Sequence, residues 1–249
     1  MDVAEHLRQL RADGALMADA AAAVSTDAPI PTCPEWTMRD LVLHTGQVHR
    51  WANANLTSGR DEPADATEAM GAAPADASLV DWFREGYETL AATIERAAPD
   101  LQCWTFMAAP SPLAFWARRQ CHETGMHRVD AQSASGSVTP FPAAVAADGI
   151  DELLRSFVTR SGGRLTSDPP RTLLVATDDT GEAWTVRISD KVETQLGEGP
   201  ADCTARGAAS DLHLLLWNRL ASTDNAISVE GDASLLDLWS GSVQVRWGR

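Results

Sequence analysis

Lysine and tyrosine are nearly missing from this 249-residue chain, which has one of each, Lys191 and Tyr87. The other cations among its 20 Lys and Arg are guanidinium groups, which grip carboxylates in a two-pronged way that an ammonium cannot; an arginine-biased composition is sufficient to account for them. Basic charge is scarce as a whole, since 35 Asp and Glu leave a formal net charge of −15. So acidic a surface repels the phosphate backbone that dominates nucleic-acid affinity, and anionic membranes likewise. Cysteine is sparse and scattered: Cys33, Cys103, Cys121 and Cys203 form no C-x-x-C pair and no dense cluster, which excludes a dithiol redox motif and a disulfide framework. No run approaches the 18 or more apolar residues of a membrane span. The Ala-rich run 20–24 follows Asp2, Glu5, Asp13 and Asp19, unlike a signal peptide with its basic start and unbroken apolar core. These absences point to a cytoplasmic protein with no nucleic-acid or membrane partner.

The length corresponds to one large or two small domains at a prior of about 150 residues each. Apolar residues recur at helical spacing over 3–24, 37–56, 78–98 and 113–134. The second of these stretches opens with Thr37 and Asp40 in capping-box spacing. Residues 57–77 are rich in Gly, Pro, Ala and acid without periodicity and read as a long loop. Four helices with one long connection predict a bundle. After a linker at 136–142, a helix is expected at 143–158, then strands at 172–176, 184–189 and 201–206, with Asp179, Thr180 and Gly181 turning the first hairpin. Helices at 210–220 and 234–240, with 227–230 extended, complete a small α+β domain. The division is thus 1–140 and 141–249.

Chemistry concentrates in the fourth helix, where the run from Cys121 to His127 superficially resembles a metalloprotease motif. That motif needs two histidines four apart, whereas His122 and His127 are five apart and face different sides of a helix. Glu123 and His127 do share a face, separated by one turn or about 6 Å of axis. A third ligand must come from a facing helix, and His44, inside the apolar stripe of the second helix, is the best-placed histidine. His44, Glu123 and His127 would make a His₂Glu set with an open position, as in catalytic zinc sites. On spacing alone the alternative stands beside it: a hydrogen-bonded core histidine and a surface Glu/His pair.

The segment Pro31-Thr32-Cys33-Pro34-Glu35-Trp36-Thr37-Met38-Arg39-Asp40-Leu41, followed by His44, resembles the mycothiol-dependent maleylpyruvate isomerase family of the DinB-like metal-binding superfamily. So does Phe115-Trp116-Ala117-Arg118-Arg119 leading into His122-Glu123, His127-Arg128 and Asp130. A weaker similarity runs through Ala209-Ser210-Asp211-Leu212, Trp217-Asn218-Arg219-Leu220 and Glu230-Gly231-Asp232. The resemblance implies an α+β two-domain chain, a DinB-like four-helix bundle joined to a small C-terminal α+β domain. It places the family's metal ligands on His44, Glu123 and His127, and implies zinc as the metal and mycothiol as thiol cosubstrate. The family's isomerase reaction adds the thiolate to an electrophilic double bond, allows rotation and expels the thiol; a mycothiol S-transferase stopping at the adduct, and a non-catalytic binding protein on the same fold, are the alternatives.

Glu35 stands where the family commonly has glycine and Val129 where it commonly has tryptophan, which leaves the substrate open. Arg118 and Arg119 lie about one turn before the ligands, able to clamp a substrate carboxylate or to form a salt-bridged helix face; Arg128 and Arg219 are more distant candidates. His49 and His122 fall off the ligand face and suit surface or supporting roles, Cys33 suits packing, and Trp36, Trp51, Trp104 and Trp116 suit the core or a pocket wall. The expected partners are a small electrophile and a low-molecular-weight thiol, with the chain a monomer or homodimer.

Overall fold

A computed structural model describes residues 1–160 and 164–243. The chain divides into two compact units, one ending at Thr139 and the other beginning at Pro140.

The first unit is built from α1 (Val3–Ala22), α2 (Met38–Ser58), a short α3 (Ala66–Met70), α4 (Leu79–Arg96) and α5 (Pro112–Ser133). Each helix bearing the site or flanking it starts at a defined cap, because the first backbone N–H groups of a helix have no partner within it. Asp2 and Glu5 form a capping box on α1, Thr37 and Asp40 do so on α2, and Ser111 caps α5 with Pro112 opening the first turn. The four long helices pack as a bundle, α1 and α2 each lying against both α4 and α5. Leu10, Met17, Leu41, Phe83, Leu90 and Trp116 are fully buried between them.

α5 is the central element: every residue from Arg119 to Gln132 is buried, charged side chains included. Ions removed from water are tolerated only when paired and hydrogen-bonded. Arg128 accordingly donates from Nε to Asp13 of α1 at 3.0 Å and from Nη1 to Gln132 at 3.1 Å, and also bonds the Thr139 carbonyl. α3 lies within the stretch expected to be loop. Asp65 caps it, accepting from the Glu68 N–H at 2.9 Å, and none of its five residues is buried, so it leaves no apolar period to read.

The second unit opens with α6 (Ala143–Glu152), which runs on through a π turn (Leu153–Phe157) and a 3₁₀ turn (Val158–Arg160). Five strands follow: β1 (Arg171–Thr177), β2 (Ala183–Ile188), β3 (Val192–Leu196), β4 (Cys203–Gly207) and β5 (Ile227–Gly231). Their order is β3-β2-β1-β4-β5, with β1 and β4 parallel and the other pairs antiparallel. The β1–β2 turn has Gly181 at φ 72°, the left-handed region that glycine enters without steric cost.

β3 is absent from the sequence-based expectation, for a physical reason. It is an edge strand with Glu193, Gln195 and Leu196 exposed, so no alternation marks it. α7 (Ala209–Leu216) is shorter than expected because Asn218 turns left-handed at φ 61°. The Asn218 N–H then bonds the Leu215 carbonyl at 2.9 Å and the Arg219 N–H that of Leu214 at 2.7 Å, the Schellman closure. α8 (Ser234–Ser242) ends the described chain. No described helix is long and apolar enough to cross a membrane, and all four cysteines are free.

Candidate metal centre

α2 and α5 bring three of the sequence candidates together. His44, Glu123 and His127 each offer a ligand atom, and those atoms lie within 4.8 Å of one another. Glu123 and His127 meet because they are one turn apart on α5, with Glu123 Oε1 3.3 Å from His127 Nε2. His44 Nε2 reaches the same oxygen from α2, at 3.6 Å. Glu123 and His127 side chains are 6% and 5% exposed and His44 is 17% exposed, so solvent touches the cluster from the α2 side.

The surroundings set the charge on each group. Burial works against ionising Glu123, but contacts with His127 and His44 and the nearby Arg119 guanidinium outweigh it, holding the carboxyl well below its usual range. Arg119 donates from Nη2 to Glu123 Oε2 at 3.1 Å, which fixes the carboxylate and leaves Oε1 toward the imidazoles. Burial likewise opposes the charge on His127, yet Asp130 and Glu123 together push its pKa up to about 9. For His44 burial prevails, and its pKa is lowered. Asp130 is itself fully buried: Oδ2 lies 2.9 Å from His127 Nδ1, and Oδ1 accepts the Thr32 hydroxyl at 2.6 Å. Trp36 closes one flank, stacked on His127 at 6.0 Å and tilted over His44 at 4.9 Å between ring centroids.

This arrangement fits a divalent cation. Glu123 Oε1 is a buried carboxylate oxygen without a hydrogen-bond partner among the described residues, although two imidazole Nε2 atoms face it. Buried acceptors are normally satisfied, because one left bare costs about 1–3 kcal/mol and more when charged. One cation would serve all three atoms. The set of two nitrogens and one oxygen suits zinc, and the His127–Asp130 bond is the carboxylate contact that orients metal-binding histidines.

The other sequence candidates are dispersed. Arg119 belongs to the cluster through Glu123, whereas Arg118 is half-buried on α5. Arg128 is the partner of Asp13, and Arg219, in the second unit, bonds the Trp217 carbonyl at 2.7 Å. His49 and His122 are buried, so neither has a surface role. His49 Nε2 lies 2.8 Å from Thr124 Oγ1, and burial pushes its pKa down to about 3; His122 meets His6 edge-on at 6.0 Å. Cys33 packs against the buried cluster that contains Met17, Ile30 and Met38, as expected for a small apolar side chain. Trp51, Trp104 and Trp116 gather with Phe106 in one aromatic cluster. The sequence reading assigned no role to Asp130 or Thr32. The signal for Asp130 was its place three residues after His127 on one helix; Thr32, 98 residues from Asp130, gave none.

Comparison with known proteins follows the same lines. The family model described as the mycothiol maleylpyruvate isomerase N-terminal domain matches residues 7–132, and that described as its C-terminal domain matches residues 144–238. Among solved structures, the crystal structure of the mycothiol-dependent maleylpyruvate isomerase is similar with TM-score 0.60, and a histidine-to-alanine variant of it with TM-score 0.63. In both cases identity is 13%, over 92% of this chain and 93% of the other, so the likeness is one of fold. No curated protein matches. With the two domain models spanning most of its length, the chain belongs to the mycothiol maleylpyruvate isomerase family.

Proposed function

We propose that this protein is a metal-dependent enzyme that uses a low-molecular-weight thiol, mycothiol in the family's case, to isomerise an electrophilic double bond. The observation that carries the reading is the convergence of His44, Glu123 and His127 around a buried carboxylate oxygen that has no other partner among the described residues. These three residues would hold the cation, most suitably zinc. When bound, such a cation supplies Lewis acidity that lowers the pKa of a thiol, making thiolate available at neutral pH.

The chain's own residues do the positioning. Arg119 orients Glu123, Asp130 holds His127 with its Nε2 turned toward Glu123, and Thr32 anchors Asp130. Trp36 walls off one flank, which limits water and leaves approach to the site from elsewhere around His44. Arg118, half-buried five residues before Glu123, faces a different side of α5 from the cluster, so the role of clamping a substrate carboxylate is not assigned to it. The reaction is an addition and elimination. The thiolate sulfur forms a C–S bond to the conjugated alkene, the electron pair moves onto the carbonyl, and the former double bond rotates. Return of the pair breaks the C–S bond and releases the trans isomer with the thiolate regenerated, so no proton or electron is gained or lost.

The test is metal content of tag-free protein, wild type against His127→Ala, followed by incubation with mycothiol and maleylpyruvate. Stoichiometric zinc lost in the variant, with thiol-dependent conversion to the trans isomer, is the expected result. Accumulation of a stable thiol adduct would reassign the chain as an S-transferase. Failure to take up any divalent metal would overturn the catalytic reading.

A further inference from the structure

The ligand face of α5 carries a second unsatisfied polar group that the metal reading leaves unused. Gln120 lies three residues before Glu123 and four before Thr124, hence beside both, with about 5–6 Å between Cβ atoms. It is 1% exposed, and its Oε1 has no hydrogen-bond partner among the described residues. Three polar neighbours on α5 are engaged elsewhere. Thr124 Oγ1 is engaged by His49 Nε2, Arg119 is directed at Glu123, and the Trp116 Nε1–H, one turn earlier, is donated to the Trp104 carbonyl at 3.0 Å. A methionine or leucine there would fill the same volume without stranding a carboxamide, so for the fold alone glutamine is the poorer choice.

Such a group is explained by a partner that arrives with the ligand. Resting on the proposed thiol-dependent reading, we propose that Gln120 is a recognition residue for the thiol cosubstrate, its Oε1 accepting an amide N–H or hydroxyl of the thiol's backbone. The orphaned atom is an acceptor and calls for a donor, which an amide- and hydroxyl-bearing thiol offers, whereas an ionised dicarboxylate would engage only the N–H groups of the same carboxamide and leave Oε1 bare. The distance also suits it, because Gln120 is displaced by about 4.5 Å along the helix axis from Glu123, within reach of groups a few bonds from a sulfur placed at the cluster.

The experiment compares zinc-loaded wild type and Gln120→Met by calorimetric titration with mycothiol and with ethanethiol, which has the sulfur but neither amide nor hydroxyl, alongside thermal melts and zinc content. The expected result is unchanged zinc stoichiometry, an equal or higher Tm, and at least a tenfold loss of mycothiol affinity with no loss for ethanethiol. Equal mycothiol affinity in the two proteins would overturn the assignment of Gln120 while leaving the thiol reading intact. An equal loss for both thiols would overturn it as well, showing a disturbed metal site. Wild-type protein that holds zinc but binds no mycothiol would refute the thiol reading itself, and Gln120's role with it. Should Gln120→Met fail to fold, Gln120→Glu, which repels no donor but carries charge, must retain mycothiol binding within threefold for the proposal to stand.

Discussion

Replacing Asp130 by asparagine tests how the proposed metal centre is built while leaving its shape alone. Asp130 is fully buried and meets His127 Nδ1 through Oδ2 at 2.9 Å and the Thr32 hydroxyl through Oδ1 at 2.6 Å. In the variant the amide oxygen still accepts from His127, and the amide N–H₂ faces Thr32, whose hydroxyl can turn and accept. The geometry survives and the charge goes. Two effects of opposite sign follow. Without the carboxylate His127 is a weaker ligand, a loss of about 10–100-fold in metal affinity, or about 1.4–2.7 kcal/mol. Yet in the metal-free wild type His127 titrates at about 9, so near neutrality the cation must displace a proton that the variant no longer holds as tightly. Wild-type affinity should therefore rise about tenfold per pH unit from pH 7 toward 9, and the variant's should rise less. Zinc competition against a chromophoric chelator at pH 7, 8 and 9 reads both effects. The full 10–100-fold deficit appears at pH 9 and narrows toward pH 7. Parallel pH profiles, or affinities within twofold at pH 9, would refute the coupling of Asp130 to His127.

Legibility in the sequence divided along a physical line. Glu123 and His127 could be paired from their numbers because an α-helix returns to the same face after four residues, and the Thr37/Asp40 capping box was visible for the same local reason. His44 was selected by its apolar neighbours, which mark the face turned toward the bundle, and the structure places it beside that pair. What escaped was either non-local or unpatterned. Thr32 reaches Asp130 across 98 residues, and Asp13 reaches Arg128 across 115. α5 itself misleads a periodicity argument, since burial on all sides from Arg119 to Gln132 leaves no polar face to contrast with an apolar one. The buried state of His122 was missed for that reason, as polar residues on a central helix read like surface. β3 and α3 were missed on the opposite ground, being too exposed to carry a pattern.

Glu123→Gln removes a ligand charge and with it the ionic part of the Arg119 contact, so zinc affinity should fall by more than the 10–100-fold expected for Asp130→Asn; retention of stoichiometric zinc under the same chelator competition would remove Glu123 from the ligand set. Thr32→Val strips one hydrogen bond from the buried Asp130 carboxylate and should cost about 1.5–3 kcal/mol of stability in urea titration, with a smaller change in zinc affinity than Asp130→Asn. An affinity loss equal to that of Asp130→Asn would mean that Thr32 fixes the carboxylate rather than merely satisfying it. The Asp13–Arg128 pair gives the last case, because both side chains are 1% exposed and the pair joins α1 to the helix that carries the ligands. Asp13→Ala strands a buried guanidinium and should destabilise the first unit by about 3–5 kcal/mol, whereas the double variant Asp13→Leu, Arg128→Met removes both charges and should recover most of it. Recovery with zinc affinity intact would show that the pair is structural and independent of the metal centre. If the double variant is as unstable as the single one, the cost lies in lost contacts to Gln9, Gln132 and Thr139 rather than in an unpaired charge, and the pairing argument for the buried ions of α5 fails at this position.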